Sequence, residues 1–268
     1  LRFDLGYDGT EFVGWAPQPG RRTVAGVLVE ALDRLFGAGC ATGLTVAGRT
    51  DAGVHATGQV CHVDVPTAGW RPLAGTAVRR LAGLLPDDVR VRSASEVPVS
   101  FDARFSALSR RYRYRVSDAP YGVEPLQRRY TLGWPRPLDV DRLNEAATAL
   151  QGEHDFAAYC RRKENATTVR AVQRLDWARE PGGVLVATVE ADAFCQAMVR
   201  SLVGALLVVG DGRRPVTWPA ELLARQERAS EVNVVPPHGL TLVAVRYPET
   251  VEELASRALL TRRLRDRR

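Results

Sequence analysis

Three side chains able to carry charge or handle protons are crowded into one short stretch. In VAGRTDAGVHATGQV, from Val46 to Val60, Arg49, Asp51 and His55 sit among Gly48, Gly53 and Gly58, with apolar residues at both ends. The glycines let backbone turn tightly and come close to a ligand. An aspartate in such a turn ordinarily makes an Asx-turn or caps a neighbouring N–H. The alternative is a carboxylate kept for chemistry. His55 reads first as a hydrogen-bonded structural histidine and second as a base.

A second charge sits where charge is costly. Arg200 lies in FCQAMVRSLVGALLVVG, a run that is apolar almost all round. A buried guanidinium without a carboxylate costs several kcal/mol, so Arg200 calls for an acidic partner or an anionic ligand unless it snorkels to the surface. Asp192 and Asp211 are local candidates and Asp51 is a distant one. A third pattern is RRYRYRV, where Tyr112, Tyr114 and Val116 share one face and Arg111, Arg113 and Arg115 the other. This is either a solvated strand over core tyrosines or an aromatic ring beside phosphate-binding arginines.

The elements that must position these residues follow from periodicity. Phe3, Leu5 and Tyr7 alternate as a half-buried strand. Thr23 caps a helix whose face is Val24, Val27, Leu28, Ala31, Leu32 and Leu35, stopped by Gly37. Short strands fit Leu44–Val46 and Cys61–Val65, and a helix fits Leu73–Leu85. Past Ser106 come the RRYRYRV strand, a helix through Val140, Leu143, Ala146, Ala147 and Leu150, and strands over Val169–Trp177 and Val184–Val189. The apolar helix around Arg200, a short helix near Pro219, the strand GLTLVAVRY and a basic helical tail from Val251 complete the chain. Two successive strand–helix sets imply an α+β fold in two halves, 1–106 and 107–268.

Composition narrows the class. The chain has 268 residues, 45% hydrophobic and 25% charged, which suits a soluble globular protein. No run reaches the roughly 20 apolar residues of a membrane span. The first residues, LRFDLGYDGT, have no signal-peptide pattern, so the cytoplasm is the expected location. Cys40, Cys61, Cys160 and Cys195 form no CxxC pair and the four histidines are scattered, so we expect reduced thiols, with neither a zinc site nor a disulfide framework. A net charge of +6 at pH 7, nearly all of it arginine, permits a polyanionic partner.

The motifs, taken in order, resemble those of the TruA family of tRNA pseudouridine synthases. AGRTDAGVHATGQV is similar to the catalytic motif of that family, and YDGTEFVGW, Gln18 and TVAGVLVEAL to its N-terminal segment. FDARFSALSRRYRYRV resembles the middle motif; GEHDFAAYC, TVRAV, FCQAMVRSLVGALLVVG and GLTLVAVRY resemble the C-terminal half. Together these span Arg2 to Tyr247. Departures fall at GWAPQ, at Ala25, at Asp102 where a histidine is common, and at Gln196 and Ala197 where two histidines are frequent. None touches Asp51.

The resemblance implies a pseudouridine synthase fold: two similar halves sharing a mixed or antiparallel sheet, with a central RNA-binding cleft. It implies conversion of uridine to pseudouridine at positions 38, 39 and 40 of the tRNA anticodon stem-loop by a homodimer, with no cofactor and no metal. Asp51 corresponds to the catalytic aspartate, acting at C1′, at the sugar C2′ proton or at C6 of uracil. Arg200 corresponds to the arginine that pairs with the aspartate. Tyr112 corresponds to the tyrosine on the target uracil, and Leu240 to the apolar residue packed against it. Arg49 and His55 would shape the loop and hold RNA. Arg21, Arg22, Arg110 and Arg111 are the further candidates for phosphate contacts. A glycosidase-like hydrolase using Asp51 and a non-catalytic RNA-binding module remain the alternatives, separable by their products.

Overall fold

The computed structural model describes residues 1–161 and 167–266, with side chains as far as Arg262. Lys163 and the last two arginines of the basic tail lie outside the described residues. Contacts divide the chain into two units. One comprises Leu1–Leu108 together with the segment from Leu242 onward; the other is Ser109–Thr241. The returning segment belongs to the half that the sequence division numbers 107–268.

In the first unit, β1 (Arg2–Tyr7) buries Phe3, Leu5 and Tyr7. Helix α1 (Val24–Phe36) starts at Thr23, whose Oγ1 accepts the Gly26 N–H at 3.2 Å, and it buries Val24, Ala25, Leu28, Ala31 and Leu32. Strand β2 (Thr42–Val46) pairs antiparallel with β3 (His55–Asp64). The pairing of β3 with β1 carries the strand back to His55, six residues earlier than its Cys61–Val65 alternation suggests. A short α2 (Thr67–Trp70) precedes α3 (Ala77–Leu84). The expected start at Leu73 is lost because Gly75 disfavours helix, and 71–76 closes as turns. Strand β4 (Val89–Ser95), absent from the sequence reading, pairs antiparallel with the other edge of β1. Its VRVR alternation buries Val89 and Val91, a signal that was there to be read.

In the second unit, β5 (Ser109–Ser117) is the RRYRYRV strand, with Tyr112, Tyr114 and Val116 buried. It takes β6 (Leu132–Gly133) as a short parallel neighbour. Helix α4 (Val140–Thr148) is capped by Asp139, and β7 (Gly152–Asp155) follows. Strands β8 (Val169–Arg179) and β9 (Leu185–Ala191) complete an antiparallel run in the order β5-β9-β8-β7. Every residue of β9 is buried. Helix α5 (Met198–Gly210) begins four residues later than the apolar run at Phe194. The residues before it are spent on a bridge between Arg161 and Gln196 and on a left-handed Ala197 at φ 66°. A short α6 (Trp218–Glu221) follows.

The chain then forms β10 (Leu240–Arg246), neighbour of β3, and α7 (Val251–Asp266). The tail is therefore docked helix through its first half, with Leu254 and Ala258 buried. Helices and largely antiparallel strands in this arrangement make the fold α+β. Among the described residues no helix is long and apolar enough to cross a membrane.

Candidate active site

Asp51 sits at the turn between β2 and β3, and the turn is built from the backbone outward. Val54 N–H returns to Asp51 O at 3.2 Å, and Ala47 N–H reaches Val60 O at 2.8 Å across the base of the loop. The YDGTEFVGW segment lies against it. Trp15 N–H donates to Thr50 O at 3.1 Å, Gly53 N–H to Phe12 O at 3.2 Å, and Gly14 bridges to Asp51. Gly9 is required for this approach, because a Cβ there would stand 2.0 Å from Val54 O. Asp51 itself is half-buried. Among the described residues of this unit none hydrogen-bonds its carboxylate, so the Asx-turn reading finds no local N–H to support it.

The residues around Asp51 divide by exposure. Arg49 and Arg21 are exposed. His55 is 6% exposed, and its Nδ1 accepts the Gly9 N–H at 3.0 Å. The same nitrogen lies 3.1 Å from Asp8 Oδ1, which as an ion pair would need a proton on Nδ1. The two uses exclude one another. The Gly9 N–H can only donate, so Nδ1 is its acceptor, and Asp8 Oδ1 also accepts from the N–H and hydroxyl of Thr10. His55 thus pins the glycine turn that backs Asp51. Arg22 forms a bidentate pair with Asp88 at 2.7 and 2.8 Å and lies over the Phe12 ring at 4.0 Å.

Beneath the loop is a buried polar group that the sequence reading did not single out. Gln59 Nε2 donates to Gly48 O at 2.8 Å and to Tyr7 OH at 3.1 Å, and Tyr7 OH meets Thr50 Oγ1 at 2.8 Å. Burial is the main cause that pushes the Tyr7 hydroxyl up to about 12.

The second unit gathers Arg200, Tyr114 and Leu240 around the segment 235–240. Arg200, third residue of α5, donates from Nε to Val235 O at 2.6 Å, and Tyr114 OH donates to the next carbonyl, Pro236 O, at 2.7 Å. That segment lies close on α5 because residue 204 is glycine, where a Cβ would stand 1.9 Å from Asn233 O. Burial raises the Tyr114 hydroxyl well above the usual tyrosine range, and the positive charge of Arg200 opposes it. The local acids are engaged elsewhere. Asp192 accepts the Ala171 N–H, and Asp211 holds Arg213 and the Trp134 indole. Leu240 is 6% exposed at the start of β10. Tyr112, two residues from Tyr114 on the same face of β5, is 7% exposed and meets Phe194 edge-on at 5.2 Å. Arg110 Nη1 donates to Asp192 O at 2.7 Å, and Arg111 Nε to the buried Glu190 carboxylate at 2.7 Å.

One expectation is corrected here. Cys160 and Cys195 are joined as a disulfide with Cα atoms 5.7 Å apart, where reduced thiols are expected from spacing. Their separation of 35 residues hides the pairing, which depends on the bridge between Arg161 and Gln196 bringing the two segments side by side.

Residues 146–248 match the family model described as tRNA pseudouridine synthase. The tRNA pseudouridine synthase A of Frankia casuarinae is 61% identical over 99% of this chain and 95% of its own length. The chain belongs to the tRNA pseudouridine synthase A family. The protein of that name from Streptomyces griseus is 57% identical over 99% of this chain and 93% of its own, and that from Mycobacterium leprae 52% over 99% and 95%. Membership makes the chain an isomerase with a pseudouridine synthase fold. In this enzyme Asp51 lies on one unit and Tyr112, Arg200 and Leu240 on the other.

Proposed function

We propose that the enzyme isomerises uridine to pseudouridine at positions 38, 39 and 40 of the tRNA anticodon stem-loop, with Asp51 as nucleophile and no cofactor. The observation that carries this is the Asp51 carboxylate, unbonded within its own unit on a loop tied down through Thr50, Gly53 and Val54. In the reaction the C1′–N1 bond breaks, the uracil turns, and a C1′–C5 bond forms. The C5 proton leaves and N1 gains one, so no atom is donated and no electron is exchanged with a partner. A carboxylate suits the first step, as in retaining glycosidases. The target uridine must leave its stack to meet it.

In this reading Arg200 is the arginine that acts with Asp51, as the resemblance implies. Tyr112 contacts the flipped uracil and assists loss of the C5 proton, while Leu240 packs on the base. Exposed Arg21 and Arg49 reach phosphates. Arg22, Arg110 and Arg111, held by Asp88, the Asp192 carbonyl and Glu190, are the further phosphate contacts in this reading. His55 serves the RNA-facing loop from beneath. A homodimer would give one tRNA a second basic surface, and three neighbouring targets suit recognition by shape.

The test incubates the protein with unmodified tRNAs bearing uridine at each of the three positions and maps pseudouridine at nucleotide resolution. Light scattering of the free and tRNA-bound protein reads the subunit number. Pseudouridine at 38–40 is the expected result. Modification confined to another site would overturn the substrate assignment, free uracil would indicate a hydrolase, and unchanged uridine a binding module.

A further inference from the structure

We infer that Tyr7 is a positioning residue, the centre of a buried relay Gln59–Tyr7–Thr50 that holds Asp51 in register for attack. The inference rests on the reading of Asp51 as nucleophile. The donor count gives the relay its direction. Gln59 is fully buried, and its Nε2 faces the Gly48 carbonyl at 2.8 Å. The opposite amide orientation would set two oxygens against each other, so the carbonyl decides the assignment. The second Nε2 proton points at the Tyr7 oxygen, which therefore accepts. Tyr7 has one proton left, and Thr50 Oγ1 at 2.8 Å is its acceptor.

Thr50 immediately precedes Asp51. Its side chain is held by Tyr7 and its carbonyl by Trp15 N–H, while Gln59 holds Gly48 three residues upstream of Asp51. The Tyr7 ring also lies against Trp15, with centroids 6.1 Å apart. The loop is thus gripped from one side by a strand and from the other by the segment that bridges Asp51. A loop needing only to be filled from below would be served by apolar side chains, since buried polar groups are costly unless fully paired. What a directional chain of hydrogen bonds in a dry site adds is orientation. Tyr7 stays protonated across the working pH range, so it orients rather than transfers a proton.

Tyr7→Phe deletes the hydroxyl and keeps the ring on Trp15. Thr50→Val removes the acceptor, and Thr50→Ser keeps it. Single-turnover rates, tRNA affinity, melting temperature and hydrogen exchange of residues 48–54 would be measured for each, with Asp51→Asn alongside. We expect Tyr7→Phe and Thr50→Val to slow the chemical step between about tenfold and a hundredfold, the range expected for a small misplacement. Affinity should stay within about twofold, exchange at 48–51 should quicken, and the pH profile should keep its shape. Thr50→Ser should recover most of what Thr50→Val loses. Unchanged rates in Tyr7→Phe beside an inactive Asp51→Asn would overturn the inference alone. So would a rate loss that merely follows lost folding or binding. Turnover persisting in Asp51→Asn would instead strike the nucleophile reading.

Discussion

Arg262 on α7 donates to the Asp102 carboxylate at 2.7 Å, joining positions 160 residues apart. Asp102 is one of the positions at which the sequence departs from the motif it resembles. Its carboxylate also accepts the N–H groups of Arg104 and Phe105. Burial works to raise the Asp102 carboxyl, but the bonds from Phe105, Arg262 and Arg104 outweigh it and hold it below the usual range. A depressed folded value contributes stability above the unfolded value, about 4, and loses it as pH falls through the folded one. Docking of α7 should therefore be insensitive between pH 5 and 8, by helix-specific hydrogen exchange, and loosen only below about pH 4. Asp102→Ala should destabilise by about 1–3 kcal/mol, chiefly from the two orphaned N–H groups, since Arg262 is half-exposed and adds little.

Asp51→Asn should abolish pseudouridine formation while tRNA binding is largely kept. The nucleophile goes, but the phosphate contacts that dominate affinity stay. Substantial turnover by the Asn variant would refute the assignment.

The bond of Arg200 to Val235 and its proposed role beside Asp51 can be separated by substitution. Arg200→Lys keeps the charge and loses the Nε bond to Val235, so it should fall between wild type and Arg200→Ala in rate. Gly204→Ala tests the same segment from below, because its Cβ would stand 1.9 Å from Asn233 O. It should lower the melting temperature and the rate together; a neutral outcome would show that 233–235 can move away freely.

Affinity for tRNA should fall steeply with salt. Removing Arg49 or Arg21 should each lessen the log–log slope by about one, whereas Arg22, already paired with Asp88, should change it less. Equal effects for all three would show that the Asp88 pair opens on binding.

Much of this architecture is legible in the chain. Thr23 and the α1 face, the RRYRYRV strand and the apolar helix of Arg200 all announce themselves by period or cap. So do Asp51 and Arg200 as charges in unusual surroundings. What stays hidden is non-local. The pairing of Cys160 with Cys195 appears only with the bridge between Arg161 and Gln196, and the grip of Tyr7 and Gln59 on Thr50 and Gly48 only once β1 and β3 are registered. The engagement of Arg22 by Asp88 is equally invisible, since the two are 66 residues apart. The start of α5 is misjudged because Phe194–Ala197 are apolar enough to extend a helix but are used for turns.

The return of the chain to its first unit sets an order of assembly. Ser109–Thr241 is one uninterrupted stretch and can finish folding as it leaves the ribosome. The unit bearing Asp51 cannot. Ala47 and Val60, at the two roots of the Asp51 loop, share a cluster with Phe101, Ala103 and Leu254, flanked by Val245 and Tyr247. Three of those seven residues are made after everything else in the cluster, so the part of the enzyme translated first is the last to close. Nascent chains halted before residue 242 would leave the stem of the Asp51 loop open to protease while the later-made unit is already resistant. Incomplete copies thereby lack the packing that closes the roots of the Asp51 loop.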